Sequence, residues 1–193
     1  MDLKTAKLMG GVGAILTLLS FVPGIGWLLS IAGFILILLA VKTISNEVKE
    51  SKIFSDYLIA VVLSVVGVLV LFFGGIASIF GMIFEIARMS MQGATSTGLP
   101  SAVFGVSRII LLFLAAWGIL IIGSYFTKSS FYKISEKTGE KNFKTAGLLI
   151  FLGTILVIAF GTGTIVSLVG VIFEIIAFFS LPDKLAEPEL PQT

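Results

Sequence analysis

Long uncharged stretches constrain this chain more than any other feature. Between Lys7 and Lys42 lie 34 residues without a charge, between Asp56 and Glu85 lie 28, and between Arg108 and Lys128 lie 19. Between Lys144 and Asp183 lie 38, interrupted by Glu174 alone. An ionised side chain at the bilayer centre costs about 3 kcal/mol on insertion scales, and a spanning helix takes about 17 to 25 residues. The stretches therefore read as membrane spans. The first and last read as two short spans each, folded back at Val22-Pro23-Gly24-Ile25-Gly26 and at Gly161-Thr162-Gly163, where helix breakers stand without charge. The 19-residue stretch is one span.

Composition agrees and removes most other classes. The chain is 57% hydrophobic and 12% charged, against roughly 45 to 50% and 25% in soluble domains, so neither a soluble domain nor a disordered chain fits. It contains no Cys and no His, which excludes disulfides, thiolate nucleophiles and the commonest metal ligand and general base. We expect no metal site, no cofactor and no catalytic residue. With 13 Lys+Arg against 11 Asp+Glu, no basic footprint for nucleic acid is present either.

The 28-residue stretch does not divide evenly. Tyr57 to Phe73 makes one span, and Gly74 to Phe84 leaves 11 residues before Glu85 and Arg88. Runs of about 10 to 14 apolar residues are more often re-entrant or interfacial than spanning, and Met89 to Ser101 reads as a small, polar, Gly- and Pro-containing loop. If Gly74 to Arg88 does not cross, the spans number six. Lys4, Lys7, Lys42, Lys49, Lys52, Lys128, Lys133, Lys137, Lys141, Lys144 and Lys184 then all face the cytoplasm, with only Arg88 and Arg108 outside. If it crosses, the spans number seven and the six lysines after Arg108 flip outward. Because cytoplasmic loops collect Lys and Arg, the expectation is an all-α polytopic transmembrane bundle of six spans plus a re-entrant or interfacial helix. Both termini then face the cytoplasm at the plasma membrane, and seven spans is the alternative.

An internal duplication of about 90 residues pulls the other way. At an offset of 89, Ile76 to Ile86 lies over Ile165 to Ile175, pairing Ser78 with Ser167, Gly81 with Gly170 and Glu85 with Glu174. At an offset of 90, Ile44-Ser45 meets Ile134-Ser135. Residues 27–88 thus correspond to 111–177. Six spans make these units parallel, and seven make them inverted, as in many secondary transporters. Residues 1–182 read as a single membrane domain, with an N-terminal signal-anchor and a disordered acidic, Pro-containing tail at 183–193.

The candidate polar site is Glu174 with Glu85 and Arg88. Glu174 falls well inside its span, where an ionisable group is either a proton or cation site or a hydrogen-bonded contact to a neighbouring helix. Glu85 and Arg88 are three apart and neutralise each other on one helical face, at a re-entrant tip or on an interfacial helix in water. Gly81, Gly170, Ser78 and Ser167 read as helix-packing positions, with Gly10, Gly11, Gly13 and Gly163, since small residues let membrane helices approach. Five lysines against Glu136 and Glu140 between Lys128 and Lys144 suit anionic headgroups.

Ala40-Val41-Lys42-Thr43-Ile44-Ser45, a charged loop, then Ile53-Phe54-Ser55-Asp56-Tyr57-Leu58 resembles an uncharacterised, mainly archaeal membrane family, domain of unknown function 996. Ile134-Ser135-Glu136-Lys137-Thr138-Gly139, Phe143-Lys144-Thr145-Ala146-Gly147 and Ala177-Phe178-Phe179-Ser180-Leu181-Pro182 extend the resemblance over nearly the whole chain. It implies an integral membrane protein of archaeal source and brings no activity. That family tends to be glycine-rich where this chain has Ile79 to Ser96, so the Glu85 and Arg88 reading rests on this sequence alone. We expect a non-enzymatic structural or interaction protein, with membrane lipids, a second copy or another membrane protein as partners. A small-solute, proton or cation transporter or channel using the buried carboxylate is the alternative.

Overall fold

Charge-free sequence of helical length becomes helix throughout. The computed structural model describes residues 2–92, 98–157 and 161–184, and among them there are six α-helices and no strand. These are α1 Leu3–Leu18, α2 Gly26–Glu47, α3 Ser51–Gln92, α4 Gly98–Thr138, α5 Asn142–Leu156 and α6 Thr162–Phe179. Four stretches are long and apolar enough to cross a membrane: Gly26–Glu47, Ser51–Arg88, Val106–Thr138 and Thr162–Phe179. Helix α5 has 15 residues and α1 has 16, prolonged by a 3-10 turn over Leu19–Phe21.

The turns lie where the breakers are. Gly24 adopts φ +89° between α1 and α2, and Gly161 adopts φ +77° immediately before α6, a left-handed conformation that side chains with a Cβ resist. Asp2 starts α1 by accepting hydrogen bonds from the Thr5 backbone N–H at 3.0 Å and the Thr5 hydroxyl at 2.7 Å, satisfying an otherwise orphaned helix donor.

The middle of the chain differs from expectation. Helix α3 does not break at Gly74-Gly75: it runs for 42 residues, about 63 Å at 1.5 Å per residue, so Gly74 to Arg88 is neither a separate re-entrant helix nor a separate interfacial one. Apart from Gly81, Ile76 to Arg88 are ordinary helix formers, and each glycine inside a helix costs only about 1 kcal/mol. The expected loop from Met89 to Ser101 is helical up to Gln92 and again from Gly98; its centre, 93–97, lies outside the described residues. The two segments paired at an offset of 89 are therefore joined differently. Ile76 to Ile86 continues α3 straight through, whereas Ile165 to Ile175 belongs to a separate helix that follows the turn at Gly161.

Two compact units result, Met1–Ala60 with Ser124–Thr193, and Val61–Gly123. In the first, α1 pairs with α2, α5 with α6, and α1 with α6. Close backbone approach sets both hairpins: a methyl on Gly13 would meet the Gly33 carbonyl at 2.8 Å, and one on Gly153 the Gly163 carbonyl at 2.7 Å. The core lies where charged helix ends gather. Phe131, Phe143, Phe178, Ile44, Ile53, Ile134, Val41 and Leu181 are fully buried there. Polar contacts tie the same ends together. Ser130 donates to the Ile53 carbonyl at 2.8 Å, Ser45 to the Glu50 carbonyl at 2.8 Å, and Lys7 to the Leu181 carbonyl at 3.1 Å. In the second unit α3 and α4 run side by side, with Leu120 packed over Gly67 and Leu112 over Gly74.

Candidate functional site

Glu174 faces inward because α6 buries one stripe, Gly163, Gly170, Glu174, Ala177 and Phe178, at spacings close to the helical repeat. It is 6% exposed. Tyr57, 5% exposed at the start of α3, is its electrostatic neighbour. The Tyr57 ring stacks on Phe131 at 6.0 Å, Phe131 meets Phe143 edge-on at 5.5 Å, and Phe143 meets Phe178 edge-on at 5.0 Å. No hydrogen bond or ion pair joins the Glu174 carboxyl to another described residue. An unpartnered charge at so buried a position is costly. Among the described residues no three of His, Cys, Asp and Glu gather to hold a metal ion.

Glu85 and Arg88 form the ion pair their spacing implies, Arg88 Nη2 to Glu85 Oε1 at 2.9 Å. They sit on the unbroken α3, in the second unit, while Glu174 belongs to the first. Arg108 is exposed on α4. The small residues divide in the same way. A methyl on Gly170 would press on Ile150 at 2.9 Å, and one on Gly153 would collide with the Ser167 hydroxyl. Gly81, by contrast, faces open space, and Ser78 bonds back to the Gly74 carbonyl of its own helix at 2.7 Å. Among the described residues a methyl on Gly81 meets no neighbour, because α3 continues where α6 has folded back on α5.

Sequence reasoning missed the polar network beside the aromatic core. Asp56 accepts from the Ser129 hydroxyl at 2.8 Å and pairs with Lys133, which also donates to Ser129 at 3.0 Å. Lys137 pairs with Glu50 at 3.9 Å and Lys7 with Asp183 at 3.5 Å. Asp183 is thereby anchored, while 185–193 of the expected tail lies outside the described residues. A signal existed for the network: Ser129 and Lys133 are four apart, hence on one helical face, and Asp56 opens an otherwise apolar span.

A family model described as a protein of unknown function, DUF996, matches residues 29–172. The chain belongs to this family. An uncharacterized protein of Methanocaldococcus jannaschii is 40% identical over 185 residues, which are 96% of this chain and 96% of that one. No solved structure matches. The match to DUF996 covers α2 through most of α6, including Asp56, Tyr57, Glu85, Arg88 and Lys133. It ends two residues before Glu174, so the membership brings no role to that carboxyl.

Proposed function

We propose that this DUF996 protein is a non-enzymatic structural or interaction component of the cell membrane, crossing it six times with both termini in the cytoplasm. The observation that carries the reading is the setting of Glu174, a buried carboxyl on the packed stripe of α6 that meets neither a cation nor a metal-ligand cluster among the described residues. Without a polar partner, the side chain packs as one more member of the buried α6 stripe. An even number of crossings is supported by the contacts of Ile53 with Ser130, Asp56 with Lys133 and Glu50 with Lys137, which hold the start of α3 against the end of α4. Eleven of the 13 cations, all lysines, then share one side, as the positive-inside rule asks.

The duplication also gains support at one point. The chain leaves α2 through Lys49 at φ +54° and leaves α4 through Gly139 at φ +78°, positions 90 apart, so two corresponding loops end their helices alike.

A second reading, proton or cation transport through Glu174, is favoured by the burial of that carboxyl. Purified protein in proteoliposomes, with proton and monovalent-cation flux measured under an imposed gradient, separates the two. The structural reading expects no flux above protein-free vesicles, and a Glu174→Gln variant that is folded and equally silent. Flux that Glu174→Gln abolishes would establish transport instead.

A further inference from the structure

Three lysines in the first unit meet rings rather than carboxylates, Lys42 among them, with its Nζ 5.7 Å from the centre of Phe54. Lys7, Lys133 and Lys137 each meet a carboxylate. Lys128 on α4 and Lys144 on α5 meet rings instead: Lys128 Nζ lies 5.0 Å from the centre of Phe151 and Lys144 Nζ 4.9 Å from the centre of Tyr132. Among the described residues no carboxylate comes within 4.0 Å of either ammonium. Glu136, one turn beyond Tyr132, is exposed and pairs with neither.

The helix geometry puts these groups on one surface. Tyr125, Lys128 and Tyr132 recur at spacings of three and four along α4, and Lys144, Leu148 and Phe151 do so along α5, so each set lines one face. Gly147 lets the helices approach there, since a methyl on it would stand 3.0 Å from the Lys128 Cα. Tyr125 also packs edge-on against Phe151 at 6.1 Å. Tyr125 is 53% exposed and Tyr132 39%, and Leu148 and Leu152 beside them are exposed. Two ammoniums without carboxylate partners, tyrosines of the kind that collect at the membrane interface, and an exposed leucine strip running along α5 complement the two parts of one molecule.

We infer that the α4–α5 face is a binding site for an anionic phospholipid, with Lys128 and Lys144 attracting its headgroup and the hydrocarbon chains lying along Leu148 and Leu152. The rings position the ammoniums, because a cation over an aromatic face is attracted to it without being neutralised. A free phosphate would use the lysines but leave the leucine strip idle, and that strip favours the lipid. The inference needs only that the chain is embedded in a membrane, and it holds whether the bundle is structural or transports.

Native mass spectrometry of the full-length protein in detergent, titrated separately with phosphatidylglycerol and phosphatidylcholine, tests it. Each lysine close to an anionic lipid surface strengthens binding about fivefold, so Lys128→Gln with Lys144→Gln should weaken phosphatidylglycerol binding about 25-fold and leave phosphatidylcholine unchanged. Lys128→Arg with Lys144→Arg should keep the preference, which also guards against a folding defect. A control pair, Lys49→Gln with Lys52→Gln, removes the same charge elsewhere and should change binding less than twofold. Equal weakening in the control, or retained phosphatidylglycerol preference in the Gln pair, would overturn the site. Displacement of the lipid by inorganic phosphate alone would overturn the lipid as its ligand.

Discussion

Gly10 and Phe178 provide the sharpest test of how α1 meets α6. A methyl on Gly10 would overlap Cγ, Cδ1 and Cε1 of the Phe178 ring. That ring is fully buried and wedged edge-on against Phe143 at 5.0 Å and Phe131 at 6.5 Å, so it has no free direction in which to swing. Overpacking a tight core costs about 1 to 3 kcal/mol. With no escape for the ring, Gly10→Ala should fall at the upper end, about 2 to 3 kcal/mol, or roughly 30- to 150-fold in the unfolding equilibrium. Phe178→Leu alone shortens the side chain and loses its edge-on contacts, for about 1.5 kcal/mol. The double variant should be no worse than Gly10→Ala alone, since the leucine vacates the space the methyl needs, giving a coupling of at least about 1 kcal/mol. Reversible unfolding by SDS in mixed micelles, followed by near-ultraviolet circular dichroism of the aromatic cluster, measures all three. Strict additivity, or a cost below about 0.5 kcal/mol for Gly10→Ala, would refute this packing.

The other expectations are smaller and independent. Lys49→Gly should stabilise the protein by about 1 kcal/mol in the same assay, because φ +54° strains a residue with a Cβ and a glycine ends a helix there without strain. Gly161→Ala should destabilise by about 1 kcal/mol through the backbone alone, since a methyl there meets nothing within 4 Å. Asp56→Leu should cost about 1 to 3 kcal/mol by leaving Lys133 and Ser129 without their acceptor. The Thr5 hydrogen bonds hold the Asp2 carboxyl below its ordinary value of 3.8. Its capping contribution is therefore complete above that value and lost as pH falls through the depressed one. Hydrogen exchange at the Thr5 amide should gain protection-loss only below about pH 4, and Asp2→Ala should remove that dependence.

Much of the architecture was legible because membrane insertion leaves few choices. Charge positions located the helices, and Gly24 and Gly161 located two reversals, since a left-handed residue between two apolar runs has few alternatives to a hairpin. Gly74-Gly75 misled because the same residues that permit a turn also permit close packing inside a helix. In α3 Gly74 receives Leu112, and nothing local decides between the two uses. The inward position of Glu174 followed from its depth in an apolar run. Its neighbour Tyr57, and the Asp56–Lys133–Ser129 network, were hidden because they join segments more than 70 residues apart, and no spacing along the chain reports such contacts. The paired hydroxyls at Ser129 and Ser130 were visible, but only the docking of α4 on α3 gives each its own partner.

The even-crossing arrangement, with charged helix ends gathered on the cytoplasmic side, is the central claim of the proposed function. The natural chain has no cysteine, so single cysteines at Asn46, Ser90 and Glu136, all exposed, report sidedness directly when intact cells meet a membrane-impermeant thiol reagent. The account predicts labelling at Ser90 alone, with Asn46 and Glu136 reacting only after permeabilisation. Opposite behaviour of Asn46 and Glu136 would contradict it, because an odd number of crossings would then separate the end of α2 from the end of α4.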